Sequence, residues 1–352
     1  MNGLDQKINE AENALSSLND RRKDLIEKIA LLKQEKQLSQ ITPTVSVATK
    51  NSISINNHSS EKEKIDLFLS LFRGRIDVFP KRFENKKTGK SGYSPACNNE
   101  WISGFCNKPK IKCSECHNQQ FIPVSEKIIR NHLIGSDSDS HSKIDYVIGV
   151  YPLLQDDSCC FLAIDFDKSN WQNDVAAFLD ITRELNIPAS LERSRSGNGG
   201  HIWIFFSEPI AASLARKMGS YLLTLTMEKR PEINFDSYDR FFPSQDFMPK
   251  GGFGNLIALP LQKKARAIGN SVFIDYKFVP YEDQWNYLGS IRRLTKSETE
   301  VLVCSAALNE MILDVKTVSN EDCEEPWQVT PSKKKKLFFK PGELTLKLKL
   351  VH

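Results

Sequence analysis

Between Cys159 and Trp171 the sequence reads CCFLAIDFDKSNW, an apolar run that ends by placing Asp165 and Asp167 one residue apart. On a strand, side chains two positions apart project from the same face, so these carboxylates converge while Phe166 turns into the protein. Carboxylates held that close repel one another, and a shared proton or a bound cation relieves the repulsion. The competing reading is a strand that has ended, with both acids in water.

A second group lies in LERSRSGNGGHIWIFF, Leu191 to Phe206. Ser196, Gly197, Asn198, Gly199 and Gly200 make a turn whose backbone N–H groups can approach an anion, and an apolar strand starts at His201. Arg193 and Arg195 put positive charge just before the turn. A glycine turn alone also fits a plain hairpin. Joined to a serine, two arginines and a strand-borne histidine, it reads better as a phosphate site with His201 as a ligand than as a core histidine.

The third stretch, Ser237 to Arg266, offers Asp239 and Asp246 as carboxylates, with Arg240, Lys250, Lys263, Lys264 and Arg266 around another glycine cluster. Asp239 reads either as a helix cap or salt-bridge partner, or as a third metal acid. Two acids from one strand and a third from elsewhere suffice to hold two divalent cations that activate a hydroxyl and stabilise a leaving pyrophosphate.

Four of the eight cysteines cluster as C-x8-C-x6-C-x2-C: Cys97, Cys106, Cys113 and Cys116. The C-x2-C turn presents two thiolates to one ion, and two upstream cysteines complete a tetrahedral set with no open position. That favours a structural Zn²⁺, with His117 and His132 as substitutes should one cysteine not ligate. Lys108, Lys110 and Lys112 interleave the module.

The rest of the chain must position these groups. Its 352 residues have room for more than one domain, and 40% hydrophobic content is ordinary for a globular protein. Lys and Arg total 48 against 44 Asp and Glu, so the net charge of +4 does not by itself argue for nucleic acid. No apolar run approaches a membrane span, and the polar N-terminus is no signal peptide; the expected location is cytoplasmic and nucleoid-associated, with no membrane partner. Residues 1–37 carry Leu4, Ile8, Ala11, Leu15, Leu18, Leu25, Ile29 and Leu32 at heptad spacing, interrupted by Arg22, which predicts a coiled coil able to self-associate. A Ser/Thr/Asn-rich linker follows over 38–62. An apolar-faced helix and the cysteine module are expected over 63–135. From 136 to 327 helices alternate with strands, among them a helix from Trp171 to Leu185, a strand at HIWIFF, a helix from Ala211 to Met227 and a strand at NLIALPL. That alternation indicates an α/β or α+β core. Residues 328–352 are a basic tail or the start of a further domain. No G-x-x-x-x-G-K-[ST] sequence is present, so no ATP-driven motor is encoded.

D-x-D at Asp165 and Asp167, S-G-x-G-x-H from Ser196 to His201 and a later acid resemble the archaeo-eukaryotic primase superfamily. GYSPACNNEW, FLAIDFDK, ERSRSGNGGHIWIFF and FFPSQDFMPKGGFGNLIALPLQ are similar, more narrowly, to the primase domain of TOTE conflict systems, prokaryotic defence modules that couple such a primase to a helicase and a nuclease. The resemblance spans roughly Lys64 to Trp327. It implies an α+β fold with an α/β module and an RRM-like module, here with an inserted zinc-binding module and an N-terminal coiled coil. It implies that Asp165, Asp167 and a third acid bind Mg²⁺ or Mn²⁺, while Ser196 and His201 contact the triphosphate, with Gly197, Gly199, Arg193, Arg195 and Lys263 completing the nucleotide site. Asp239 is the chosen third acid, with Asp236 and Asp246 as alternatives. Since TOTE primase domains run on into a helicase, the chain is read as a stand-alone primase, a truncated copy or an excised piece. The expected activity is that of a DNA primase or polymerase, a nucleotidyltransferase (EC 2.7.7 class) joining nucleoside triphosphates on single-stranded DNA or a primer-template. The alternative is a non-catalytic, zinc-dependent nucleic-acid-binding module serving a helicase or nuclease partner; a nuclease using the same metals fits the S-G-x-G-x-H pattern less well.

Overall fold

A computed structural model describes Arg21 and residues 55–85, 88–137, 145–168, 170–232 and 235–308. Apart from Arg21, the heptad segment, the linker up to residue 54 and the basic tail lie outside the described residues. Helix α1 (Glu61–Leu71) starts at a capping box, in which Ser60 accepts from the Glu63 N–H and Glu63 returns a bond to the Ser60 N–H, and it buries Ile65, Phe68 and Leu71 along one stripe. An antiparallel hairpin follows, β1 (Pro80–Glu84) with β2 (Ser91–Pro95), and leads into the cysteine segment. Helix α2 (Glu126–Ile134) is capped by Ser125 and ends at Gly135 with φ of 70°.

The central region begins at β3 (Gly149–Val150) and β4 (Ser158–Asp167), then α3 (Trp171–Glu184), β5 (Ser190–Arg193), β6 (Gly199–Ala211), α4 (Ala212–Lys229) and β7 (Tyr238–Phe242). After it come β8 (Ile257–Ala258), α5 (Lys263–Arg266), β9 (Val272–Phe273), α6 (Gln284–Ser290) and α7 (Lys296–Leu308). The main sheet has the order β7-β4-β6-β5-β9 with every pair antiparallel. From β4 to β7 the chain is a β-α-β-β-α-β unit whose four strands lie in the order 4-1-3-2, which is the RRM-like module. The strand expected at NLIALPL is only the two-residue β8, paired with β3 in a separate small sheet.

Alternation along β4 sorts its side chains into two layers. Leu162, Ile164 and Phe166 face α3 and α4; the ring of Phe166 is fully buried beside Phe178 and Phe235. Phe161 and Ala163 share the other face with Trp203 and Phe205, which Phe72 meets edge-on at 5.0 and 5.3 Å. A sheet covered on both faces explains why β4 is almost continuously apolar. Each buried Phe or Ile contributes about 1.5–3 kcal/mol, so the centre of β4 is anchored in the core and its last three residues leave from that anchor. No helix among the described residues is long and apolar enough to cross a membrane.

Candidate active site

The polar end of β4 meets its neighbours at one register: Asp165 pairs with His201 on β6 and with Arg240 on β7. Asp165 and Asp167 leave the apolar run where expected, with side chains 22% and 52% exposed. Burial pushes the Asp165 carboxyl above its usual range; the charges of Asp239 and Asp167 add to that push, while His201 and Arg240 oppose it. Asp165 thus senses both other carboxylates, and the three acids form one electrostatic group.

Asp239 joins that group through a β-bulge. Asp165 pairs with Arg240 and Phe166 with Tyr238, leaving Asp239 as the extra residue between them. Without the bulge, Asp239 would alternate to the face opposite Arg240; a bulge is the device that re-aims such a side chain. Arg240 Nε donates to Asp239 Oδ2 at 2.8 Å and holds it there. The alternatives fare differently. Asp246 is committed to an ion pair with Arg216 at 2.5 Å, and Asp236 is exposed one residue before the buried Ser237. Among the described residues no three Asp, Glu, His or Cys side chains are already close enough to enclose an ion. An open set of hard oxygen donors still suits Mg²⁺ or Mn²⁺, which retain waters and accept substrate phosphate oxygens.

His201 stands between two acids. Its Nε2 lies 3.5 Å from Asp165 Oδ1 and its Nδ1 lies 3.0 Å from Glu192 Oε2. Glu192, on β5, is 2% exposed and also accepts from Trp203 Nε1 at 2.9 Å and from Ser271 Oγ. Burial alone would lower the His201 pKa, but the Glu192 carboxylate, and Asp165 behind it, raise it to about 9. An imidazolium held on Nδ1 presents its Nε2–H toward the carboxylate edge. Sequence reasoning missed Glu192. Its only signal was a carboxylate on a short apolar strand, and its burial follows from a sheet covered on both faces.

The glycine turn closes the β5–β6 hairpin beside this histidine. Gly197 adopts φ of 81°, and a Cβ there would meet the Asn270 amide at 2.8 Å. Ser196 Oγ accepts from the Asn198 N–H and lies 3.1 Å from Ser194 Oγ. Arg195 donates to Gln262 Oε1 at 2.6 Å and lies 3.8 Å from Asp145, so its charge stays beside the turn. Arg193 is placed differently from a free phosphate ligand, because its guanidinium donates to the carbonyls of Gly269 and Phe278. Lys263 is exposed at the start of α5, with no ion-pair partner among the described residues.

Cys97, Cys106, Cys113 and Cys116 all line one cavity of about 20 Å³, which has room for a single water-sized particle. Cys97 Sγ accepts the Gln120 N–H at 3.4 Å, and the Lys108 pKa, lowered by burial, is raised overall by its bond to Glu100 and, to a smaller extent, by Cys113. Four cysteine sulfurs on one small cavity are a donor set that fits Zn²⁺, although they are not drawn together around one point. His117 is exposed at the edge of the module. His132 lies elsewhere: it is fully buried, with Nε2 2.8 Å from the Pro260 carbonyl and Nδ1 accepting the Ile148 N–H.

A 4-1-3-2 antiparallel sheet that carries acids at the end of its central strand, a histidine facing them and a glycine hairpin alongside has the make-up of an archaeo-eukaryotic primase-type domain. The chain matches the family described as TOTE conflict system, archaeo-eukaryotic primase domain, over residues 63–302, and it belongs to that family. Among solved structures it is similar to the polymerase domain from Mycobacterium tuberculosis ligase D in complex with DNA, at 11% identity and a TM-score of 0.33, covering 70% of this chain and 88% of that one. No curated protein sequence matches it.

Proposed function

We propose that the chain is a nucleotidyltransferase that joins nucleoside triphosphates into DNA on a single-stranded template or primer-template, within a prokaryotic defence system. The observation that carries this reading is the placement of Asp165, Asp239 and His201 at one end of three adjacent strands, beside the glycine turn. In this reading Asp165, Asp167 and Asp239 hold Mg²⁺ or Mn²⁺, which when bound supplies charge stabilisation at the reacting phosphate and the leaving pyrophosphate. His201, fixed by Glu192, donates from Nε2 to a triphosphate oxygen. The exposed Ser196 hydroxyl binds the same phosphate chain, with Arg195 and Lys263 adding positive charge. Arg193 acts one step back by tying the hairpin to the loops that bear Gly269 and Phe278. The substrate 3′-hydroxyl attacks the α-phosphorus, so the protein's work is positioning and electrostatics.

The cysteine module, with Zn²⁺ on Cys97, Cys106, Cys113 and Cys116, serves as the template contact. Trp101 and Phe105 are 69% and 53% exposed within it, near Lys110 and Lys112, which are the groups that stack bases and neutralise a strand backbone. The heptad segment brings self-association or a helicase or nuclease partner.

Two titrations test the nucleotide site, one with a labelled nucleoside triphosphate plus Mn²⁺ and one with labelled single-stranded DNA. Losing a charge-assisted bond costs about 1.5–3 kcal/mol, so His201→Ala is expected to weaken nucleotide binding by about 10- to 100-fold and DNA binding by less than about twofold. Equal losses would make the turn part of a strand-binding surface and favour the non-catalytic module.

A further inference from the structure

Two of the three acids are tied to a single buried serine. Ser237 is fully buried in the stretch that leads into β7, and its carbonyl accepts the Asp167 N–H at 2.7 Å. Two residues further on, the same stretch places Asp239 in its bulge. The Ser237 backbone N–H, at 3.2 Å, and its hydroxyl both donate to one oxygen, Oδ2 of Asp174. Asp174 lies in the first turn of α3 and is 6% exposed. An acid in a first turn ordinarily needs no more explanation than the helix dipole. This one is buried, and its charge is spent on a segment 63 residues away in sequence.

The β4–β7 pairing ends at Phe166 and Tyr238, so Asp167 lies beyond that ladder. On this side of β4 the main-chain tie at Asp167 is the bond to Ser237, and Ser237 is held from behind by Asp174. A chain of contacts therefore runs from α3 through Ser237 to both Asp167 and Asp239.

We propose that Asp174 is a positioning residue that sets the spacing of Asp167 and Asp239 and, through it, the affinity of the acid cluster for a divalent cation. The proposal rests on the reading of Asp165, Asp167 and Asp239 as metal ligands. Mg²⁺ and Mn²⁺ tolerate little departure from their preferred ligand geometry, and residues that orient ligands from behind commonly govern metal affinity by about 10- to 100-fold. Asp174→Ala removes both acceptor bonds. Asp174→Asn keeps the volume and an acceptor oxygen but not the charge. Ser237→Ala keeps the main-chain bond and loses the hydroxyl.

The test is Mn²⁺ binding to the full chain, read as loss of the free-ion electron paramagnetic resonance signal, well below the melting temperature of every variant and without nucleotide. Expected are a loss of about tenfold or more for Asp174→Ala, smaller losses for Asp174→Asn and Ser237→Ala, and abolished binding for Asp165→Ala. Should Asp174→Ala not fold, the Asp174→Asn and Ser237→Ala pair decides by the same ranking. Wild-type Mn²⁺ affinity in folded Asp174 and Ser237 variants, with binding still lost in Asp165→Ala, overturns the positioning role alone. Equal binding by wild type and Asp165→Ala overturns the carboxylate site and the positioning role with it.

Discussion

Gly199 pairs with Asp167 where β6 enters the sheet, and a Cβ added there would lie 2.4 Å from the Phe166 carbonyl oxygen and 3.2 Å from Asp167 Cα. Both atoms are main chain, so no side chain can rotate aside and the strands must part at the register that aligns Asp165 with His201. Overpacking of this kind costs about 1–3 kcal/mol, and for a unit of this size each kcal/mol lowers Tm by about 2–4 °C. Taking about 2 kcal/mol, Gly199→Ala is expected to melt roughly 4–8 °C below wild type. Its chemical effect is larger, since displacing catalytic groups by about 1 Å costs on the order of 100-fold in rate. The assay pairs a thermal melt with nucleotide incorporation at a temperature where both proteins are folded. Gly89→Ala is the control, because an added Cβ there meets nothing within 4 Å and only the left-handed backbone, φ of 69°, is penalised. A Gly199→Ala protein that incorporates nucleotide within about twofold of wild type would refute the reasoning, because the strand approach would then not set the site.

Other consequences are equally open to measurement. The His132 pKa is lowered to about 4, first by burial and then by the charges of Arg266 and Arg195, with the Pro260 carbonyl opposing. The unfolded chain therefore takes up the proton first. The stability due to neutral His132 is fully present above its ordinary pKa of 6.5 and is lost as pH falls from there through about 4. Denaturant melts across that window are expected to lose about 3 kcal/mol from this group, and His132→Gln should flatten the slope; an unchanged slope would contradict it. Elemental analysis is expected to find one zinc per chain, with Cys113→Ala lowering both zinc content and solubility; zinc-free protein that melts normally would count against the thiolate site. Replacing Lys110 and Lys112 together by Ala is expected to reduce the salt dependence of single-stranded DNA binding, while Trp101→Ala lowers affinity by about 1–3 kcal/mol at constant salt slope. Affinity and slope that match wild type would remove the module from the template path.

The sequence marked the acids of β4 and the histidine of β6 because period-2 alternation and an abrupt change from apolar to charged residues are local signals. The helices beginning at Trp171 and Ala212 were legible because a helical apolar period is likewise local, and their observed ends, Glu184 and Lys229, lie within two residues of the sequence reading. Asp239 was the choice over Asp236 and Asp246 from its resemblance to the family pattern; the bulge at which it lies was not legible, being a property of the pairing with β4 rather than of β7 itself. Asp246 looks as acidic and as well placed until Arg216, on α4, is seen to claim it. Arg193 and Arg195 are alike in sequence, yet one serves carbonyls of a distant loop and the other stays at the turn. Glu192 and Asp174 carry no motif at all. Their importance comes from burial against partners 9 and 63 positions away, which tertiary structure alone reveals. The expectation for NLIALPL failed because an apolar run of that length also fits an extended segment filling the core, and just two of its residues find a ladder partner.

The central claim is that the acids at the end of β4 support joining of nucleotides, and its most direct test is incorporation of labelled nucleotide on single-stranded DNA with Mn²⁺, with and without a primer, by wild type and Asp165→Asn. The amide keeps the shape of the side chain and removes its charge. The account predicts lengthened or newly made strands with wild type and a loss of at least about 100-fold with Asp165→Asn at unchanged DNA affinity, the scale on which removing a group that stabilises transition-state charge is felt. Wild-type levels of product from Asp165→Asn, or DNA binding by wild type without any product, would contradict it.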